Sequence, residues 1–194
     1  TRLGTRAYRR PLTQRDREGL MRFYASGAKA GGFEEGIRAA LQAMLASPWF
    51  VFRFERVPDG IRPGQDYRLS DVELASRLSF FLWGSIPDHE LLNIAARGRL
   101  SDPKTLDAQV RRMLVDPRAE ALGSRFASQW LRLQDVEKVR PDAFWYPDYD
   151  QQMADAMVRE TQLFFMNLVR EDLSLLELFD ALGVTLNLCG NVML

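Results

Sequence analysis

Residues 67–92, YRLSDVELASRLSFFLWGSIPDHELL, decide the fold. Ser70 stands where a helix N-cap belongs, and Glu73 three residues on completes a capping box, each side chain answering a free amide of the other residue. Leu74, Leu78, Phe81 and Leu82 recur at helical spacing. Phe80 and Trp83 make the last turns apolar on nearly every side, which predicts a helix central to a core. Gly84 stops it, and Pro87 suits the first turn of the next helix.

The same punctuation extends in both directions. Thr13 is a cap with Asp16 at the box position, and Leu20, Phe23 and Tyr24 form an apolar face that stops near Gly27. After a turn at Gly31 and Gly32, the residues Phe33, Ile37, Leu41, Met44 and Leu45 mark a second helix ended by Pro48. In WFVFRFER, residues 49–56, the alternation of Phe50, Phe52 and Phe54 reads as a short strand, with a helix running past Pro48 as the rival reading. Residues 57–66 form a Pro/Gly loop.

Downstream, residues 87–97 read as a short helix closed by Gly98. Asp102-Pro103 starts another to Val115, with Leu106, Val110, Met113 and Leu114 inward. Asp116-Pro117 launches a longer helix whose stripe is Leu122, Phe126, Trp130 and Leu133. Residues 141–150 are an aromatic, acidic loop. A long helix over 151–171 uses Met153, Met157, Phe164, Phe165 and Leu168, and Ser174 caps a last one to about Phe179.

The expectation is an all-α fold, an irregular multi-helix bundle of orthogonal packing with at most one extended segment near 50–56. Its divisions are an N-terminal helical subdomain (1–56), a linker (57–66), a central helical domain (67–140), the start of a C-terminal helical domain (141–181), and a tail (182–194) with no charge. That tail, and an opening that falls inside a helix, read as a segment of a longer polypeptide. No fixed-period repeat marks a solenoid.

The chain has 194 residues, 46% of them hydrophobic and 27% charged, which suits an ordinary globular domain. Its 26 basic and 26 acidic residues cancel, so the whole chain offers no electrostatic case for nucleic acid or an anionic membrane. The distribution is uneven: residues 1–60 carry 11 basic and 6 acidic groups, residues 141–194 carry 2 and 9. Cys189 is the sole cysteine, which excludes an internal disulfide, a thiolate zinc cluster and a C-x-x-C-H haem attachment. No segment has the ~20 apolar residues that span a bilayer.

Glu73 and Arg77 lie four apart on one helix face. Glu160 sits beside an apolar stripe, where an unpaired carboxylate would be expensive and a cation such as Arg77 or Arg125 is needed. Glu73, Arg77, Arg125 and Glu160 are therefore expected to form a structural interhelix network. The competing role is catalytic, with Glu73 or Glu160 as the acid of a polysaccharide-active enzyme. His89 is the only histidine and reads as a solvated side chain; the usual zinc and iron sites are hard to build around it, and no metal site is expected. Asp142, Trp145, Tyr146 and Asp148 form a candidate ligand loop for carbohydrate, or else plug the end of the bundle. No nucleophile elbow, phosphate loop or dinucleotide fingerprint is present.

The ordered phrases RAYRRPLT (6–13), SPWFVFRFE (47–55), the 67–92 stretch, FASQWLRL (126–133) and RETQLFFMNLVREDLSLLELFDA (159–181) resemble the planctomycete-type multidomain proteins of unknown function. In those, uncharacterised helical domains accompany a planctomycete-type cytochrome c domain in a large exported protein. The resemblance implies a non-catalytic helical scaffold, an extracytoplasmic location, other domains of the same polypeptide as partners, and haem only in a neighbouring domain. It carries no catalytic residues to this chain, and it stops after Ala181, where an uncharged tail replaces the family's polar stretch.

Overall fold

A computed structural model describes residues 2–180, and the uncharged tail lies outside the described residues. The fold is all-α, with no strand among the described residues. The contacts of the described residues divide into two units, 2–80 with 85–107 and 81–84 with 108–180, so the 57–66 loop lies inside the first unit.

The first unit begins with α1 (Arg2–Tyr8) and α2 (Gln14–Leu45). Thr13 caps α2 through the box the sequence announces: its hydroxyl accepts from the Asp16 amide, and Asp16 accepts from the Thr13 amide. No stop occurs at Gly27. The chain stays helical to Gly31 (φ −149°) and Gly32 (φ 80°), which break α2 into two arms folded into a hairpin. Gly27 is there for closeness instead. A Cβ on it would lie 2.6 Å from the Glu35 carbonyl oxygen, and one on Gly36 would lie 2.8 Å from the Tyr24 ring. The two backbones touch where side chains are missing.

Arg10 grips Asp16 with two guanidinium nitrogens, at 2.7 and 3.1 Å, while lying over the Trp49 ring. Those bonds hold the Asp16 carboxyl at about 2, below its ordinary 3.8. A carboxyl depressed on folding adds stability that is fully present above pH 3.8 and fades as pH falls toward 2. Accordingly, urea denaturation should separate the parent from Asp16→Asn at pH 6 and bring the two together by pH 2. A gap independent of pH would contradict this account.

Residues 49–56 correct the strand reading. Pro48–Val51 is a short helix, α3, capped by Ser47. The chain beyond it is extended but has no neighbouring strand, because other groups occupy its polar atoms. The Arg9 guanidinium donates to the carbonyls of Trp49 (2.8 Å), Phe50 (3.2 Å) and Phe52 (2.7 Å). Arg53 lies over Phe80, Glu55 pairs with Arg77, and the Arg56 amide donates to Glu73. A strand needs a ladder partner; here arginines and α4 (Asp71–Trp83) take that place.

Helix α4 passes from the first unit, to Phe80, into the second, from Phe81. Its buried row is Ala75, Ser79, Leu82 and Trp83, one position round from the expected Leu74, Leu78 and Phe81. Ser79 is satisfied by donating to the Ser85 carbonyl at 2.7 Å. Asp71 accepts from the amides of Leu100 and Ser101, pinning the chain after α5 (His89–Ala96). The cap of α5 is Asp88, with Pro87 just outside the helix.

Helix α6 (Pro103–Val115) leads to a 3-10 turn at Pro117–Ala119 and a π-helical turn at Leu122–Ala127. A π turn aligns residues five apart, and the buried pair is Leu122 with Ala127. The stripe expected at spacing four therefore fails: Leu122 and Leu133 are buried, while Phe126 and Trp130 are half exposed. Helix α7 (Ser128–Trp130) ends just before Arg132, whose φ is 55°, and a 3-10 segment, Leu133–Lys138, comes next. Asp150 caps α8 (Gln151–Arg170), which buries Ala154, Phe164, Phe165, Met166 and Leu168 and leaves Met153 and Met157 exposed. Helix α9 (Glu177–Asp180) closes the described chain.

Candidate functional site

The four residues expected to form one buried network fall two in each unit, and no two of them are paired. Glu73 completes the Ser70 capping box, accepting from the Ser70 hydroxyl (2.6 Å) and amide (3.1 Å) and from the Arg56 amide (2.7 Å). Burial works to raise its pKa, but these hydrogen bonds prevail and hold it below the ordinary carboxylate value. A general acid for glycoside hydrolysis needs the opposite shift. Arg77 makes a bidentate pair with Glu55, at 2.6 and 2.8 Å, on an exposed face, and not with Glu73 four residues before it. Exposed pairs contribute little. Arg77→Ala should therefore lower stability by under ~1 kcal/mol in denaturant titration; a loss near ~4 kcal/mol would restore the buried network.

In the second unit Arg125 donates to the Gly84 carbonyl at 2.8 Å, closing the end of α4. Glu160 is half-buried on α8, and no cation of the described residues reaches it. His89 is exposed and its Nδ1 lies 2.9 Å from the Asn93 amide nitrogen. No group of three metal-ligating side chains is assembled among the described residues.

The loop at 141–150 does not plug the bundle. Phe144, Trp145 and Tyr146 are 81%, 73% and 63% exposed. The loop is nonetheless built: Asp142 accepts from the Phe144 amide through its side chain, and its carbonyl accepts from Trp145 and Tyr146. Phe144 meets Trp145 edge-on at 5.1 Å, and Asp148 is exposed beside them. A second aromatic group joins Phe81, Phe126, Trp130 and Phe165; Trp130 stacks on Phe126 at 6.0 Å and is itself 52% exposed.

One cleft in this unit has chemistry the sequence did not announce. Val136, Glu137, Ala154, Asp155, Val158 and Arg159 line it. Asp155 and Arg159 share an α8 face at spacing four, which is legible; Glu137 comes from the 3-10 segment, which no periodicity announces. Asp155 already accepts from the Gln151 amide at 2.9 Å.

The chain is thus a helical course through capped segments, interrupted at 31–32 and 122–127. Residues 69–188 match the family model described as a protein of unknown function, DUF1592. The chain belongs to that family. Residues 1–55 match a second description, a protein of unknown function, DUF1595. Both are domains of unknown function found in planctomycete cytochrome c-associated proteins. The DUF1592 match runs to residue 188, past Ala181, where the resemblance read from the sequence phrases stops. No curated protein and no solved structure matches the chain. Among the described residues no helix is long and apolar enough to cross a membrane.

Proposed function

We propose that this DUF1592 chain is a non-catalytic helical scaffold and interaction module of a larger exported polypeptide that carries a cytochrome c domain outside the matched region. The observation that supports it is the display of large apolar side chains on both units: Phe33, Ile37, Leu41 and Leu45 on the first, Phe144 and Trp145 on the second. Apolar surface displayed in contiguous groups marks a place where another surface belongs. The partners are the other domains of the same polypeptide.

Carbene footprinting of the isolated chain and of the full polypeptide tests this reading. Labelling of Trp145 should fall sharply in the full polypeptide. Equal labelling in both would overturn the interaction role, and recovery of the full polypeptide with cytoplasmic markers would overturn export.

A carbohydrate ligand is the second reading, favoured by the ordered, exposed Trp145 and Tyr146 with Asp142 and Asp148 alongside. Titrating cellohexaose and chitohexaose against tryptophan fluorescence should then give a saturable change that Trp145→Ala abolishes. No change with either sugar removes this reading and leaves the first standing.

A further inference from the structure

The second arm of α2 carries one row of large apolar side chains that the fold leaves partly open, with Phe33 meeting the Tyr24 ring edge-on at 6.2 Å. Phe33, Ile37, Leu41 and Leu45 are 70%, 40%, 38% and 53% exposed. They succeed one another at spacing four along a single helical arm, so they form one continuous ridge of the kind that packs between the ridges of a second helix. The inner side of the same arm is occupied: Gly36 lies against Tyr24, and Met44 belongs to the core with Tyr8 and Leu12.

We infer that this ridge is the interface of a homodimer, occupied by the same ridge of a second copy of the chain running antiparallel. The inference rests on the interaction-module reading and names its first partner. Three observations carry it. The row is symmetric about Ala39, so a twofold axis there sets Phe33 against Leu45 and Ile37 against Leu41 of the other copy. Large meets large in both pairs.

Charge does not oppose the pairing. Residues 14–45 hold five cations and four anions, and Arg38, the charge nearest the axis, lies 3.5 Å from Glu35 of its own helix. Two copies therefore meet as nearly neutral surfaces.

The area is also of the right size. At roughly 200 Å² for a large apolar side chain, these exposures leave about 400 Å² per copy. Two copies would contribute about 800 Å², close to the apolar share of a standard ~1,600 Å² interface.

Sedimentation equilibrium of the whole chain, from ~1 to ~100 µM, tests the inference. The expected species at the upper end has twice the 22.3 kDa mass of one copy. Leu41→Glu should return it to a monomer with unchanged helical circular dichroism, because Leu41 faces outward. Register is tested in a Cys189→Ser background by mixing chains bearing Ile37→Cys with chains bearing Leu41→Cys under mild oxidation. The antiparallel pairing links these two together, whereas chains bearing Phe33→Cys link to those bearing Leu45→Cys.

A monomer throughout the range overturns the dimer, as does a dimer that survives Leu41→Glu or cross-links in parallel register, each position with itself. A monomer whose ridge is shielded from footprinting only in the full polypeptide overturns this inference and leaves the module reading intact.

Discussion

Replacing Trp83 with alanine is expected to remove ~3–5 kcal/mol of stability, the range for truncating a large buried aromatic side chain. Trp83 is almost wholly buried at the end of α4. Its indole Nε1 donates to the Met113 carbonyl at 2.9 Å, and the Arg118 guanidinium lies 3.5 Å above its ring. Alanine therefore leaves a void, an unpaired carbonyl and a cation without its aromatic face. Trp83→Phe keeps most of the ring volume but orphans the same carbonyl, and should lower stability by ~1–3 kcal/mol. Urea denaturation followed by circular dichroism measures both. A loss below ~0.5 kcal/mol for alanine would be a surface effect and would place Trp83 outside the core of its unit.

Arg9→Ala should be the most damaging change in the first unit, at about 3 kcal/mol: hydrogen bonds from a charged donor contribute ~1.5–3 kcal/mol apiece, and of the four carbonyls that lose theirs those of Phe50 and Phe52 lie on exposed residues where water can take the donor's place. Arg9 is buried without a carboxylate partner among the described residues. Burial first, and the neighbouring Arg53 second, lower its pKa. Its backbone also has φ 55°, a region in which a side chain is strained by ~1–2 kcal/mol. Arg9→Gly removes the guanidinium but relieves that strain, so it should be about 1 kcal/mol milder than alanine. Equal losses would mean that backbone strain plays no part. Arg9→Lys offers one compact ammonium where a planar fork spans four acceptors, and should recover less than half of the loss. Full recovery by lysine would show that charge alone matters there.

The contrast between these two residues shows what a sequence exposes and what it conceals. Trp83 announces itself by sitting at the end of an apolar helix closed by Gly84. Arg9 is one arginine among many, and three of its four acceptors lie some forty positions away, so no local pattern marks it. Caps were legible for the same reason in reverse. Thr13 with Asp16 and Ser70 with Glu73 each act within three residues of themselves. Faces were less legible. Phe126 and Trp130 read as core because spacing four assumes an ordinary α-helix, and the π turn beneath them breaks that assumption. The segment after Pro48 read as a strand because alternating phenylalanines look half-buried, yet a strand exists only by courtesy of a neighbour.

The candidate site was legible as an inventory and not as an arrangement. Asp142, Trp145, Tyr146 and Asp148 were found together because they are adjacent in the chain. That their rings face solvent instead of sealing the bundle depends on the paired turns at Asp142 and Tyr146. The expected network of Glu73, Arg77, Arg125 and Glu160 failed because helical spacing sees only i to i+4 partners. Glu55, which Arg77 chose, lies twenty-two positions away in a segment without regular structure.

The widened turn at Leu122–Ala127 has a genetic counterpart. Such a turn holds one more residue than the α-helical path it interrupts, so an in-frame loss of a single codon there is the natural route back to an unbroken rod. Because the wide turn already takes up the extra residue, that loss would leave the side chains beyond it, Trp130 among them, near their present bearing and would rewind only those inside the turn, such as Phe126. Gaps and extra letters at this point, when relatives are set side by side, therefore record whether the turn is wide or regular, while the helix beyond it keeps its face.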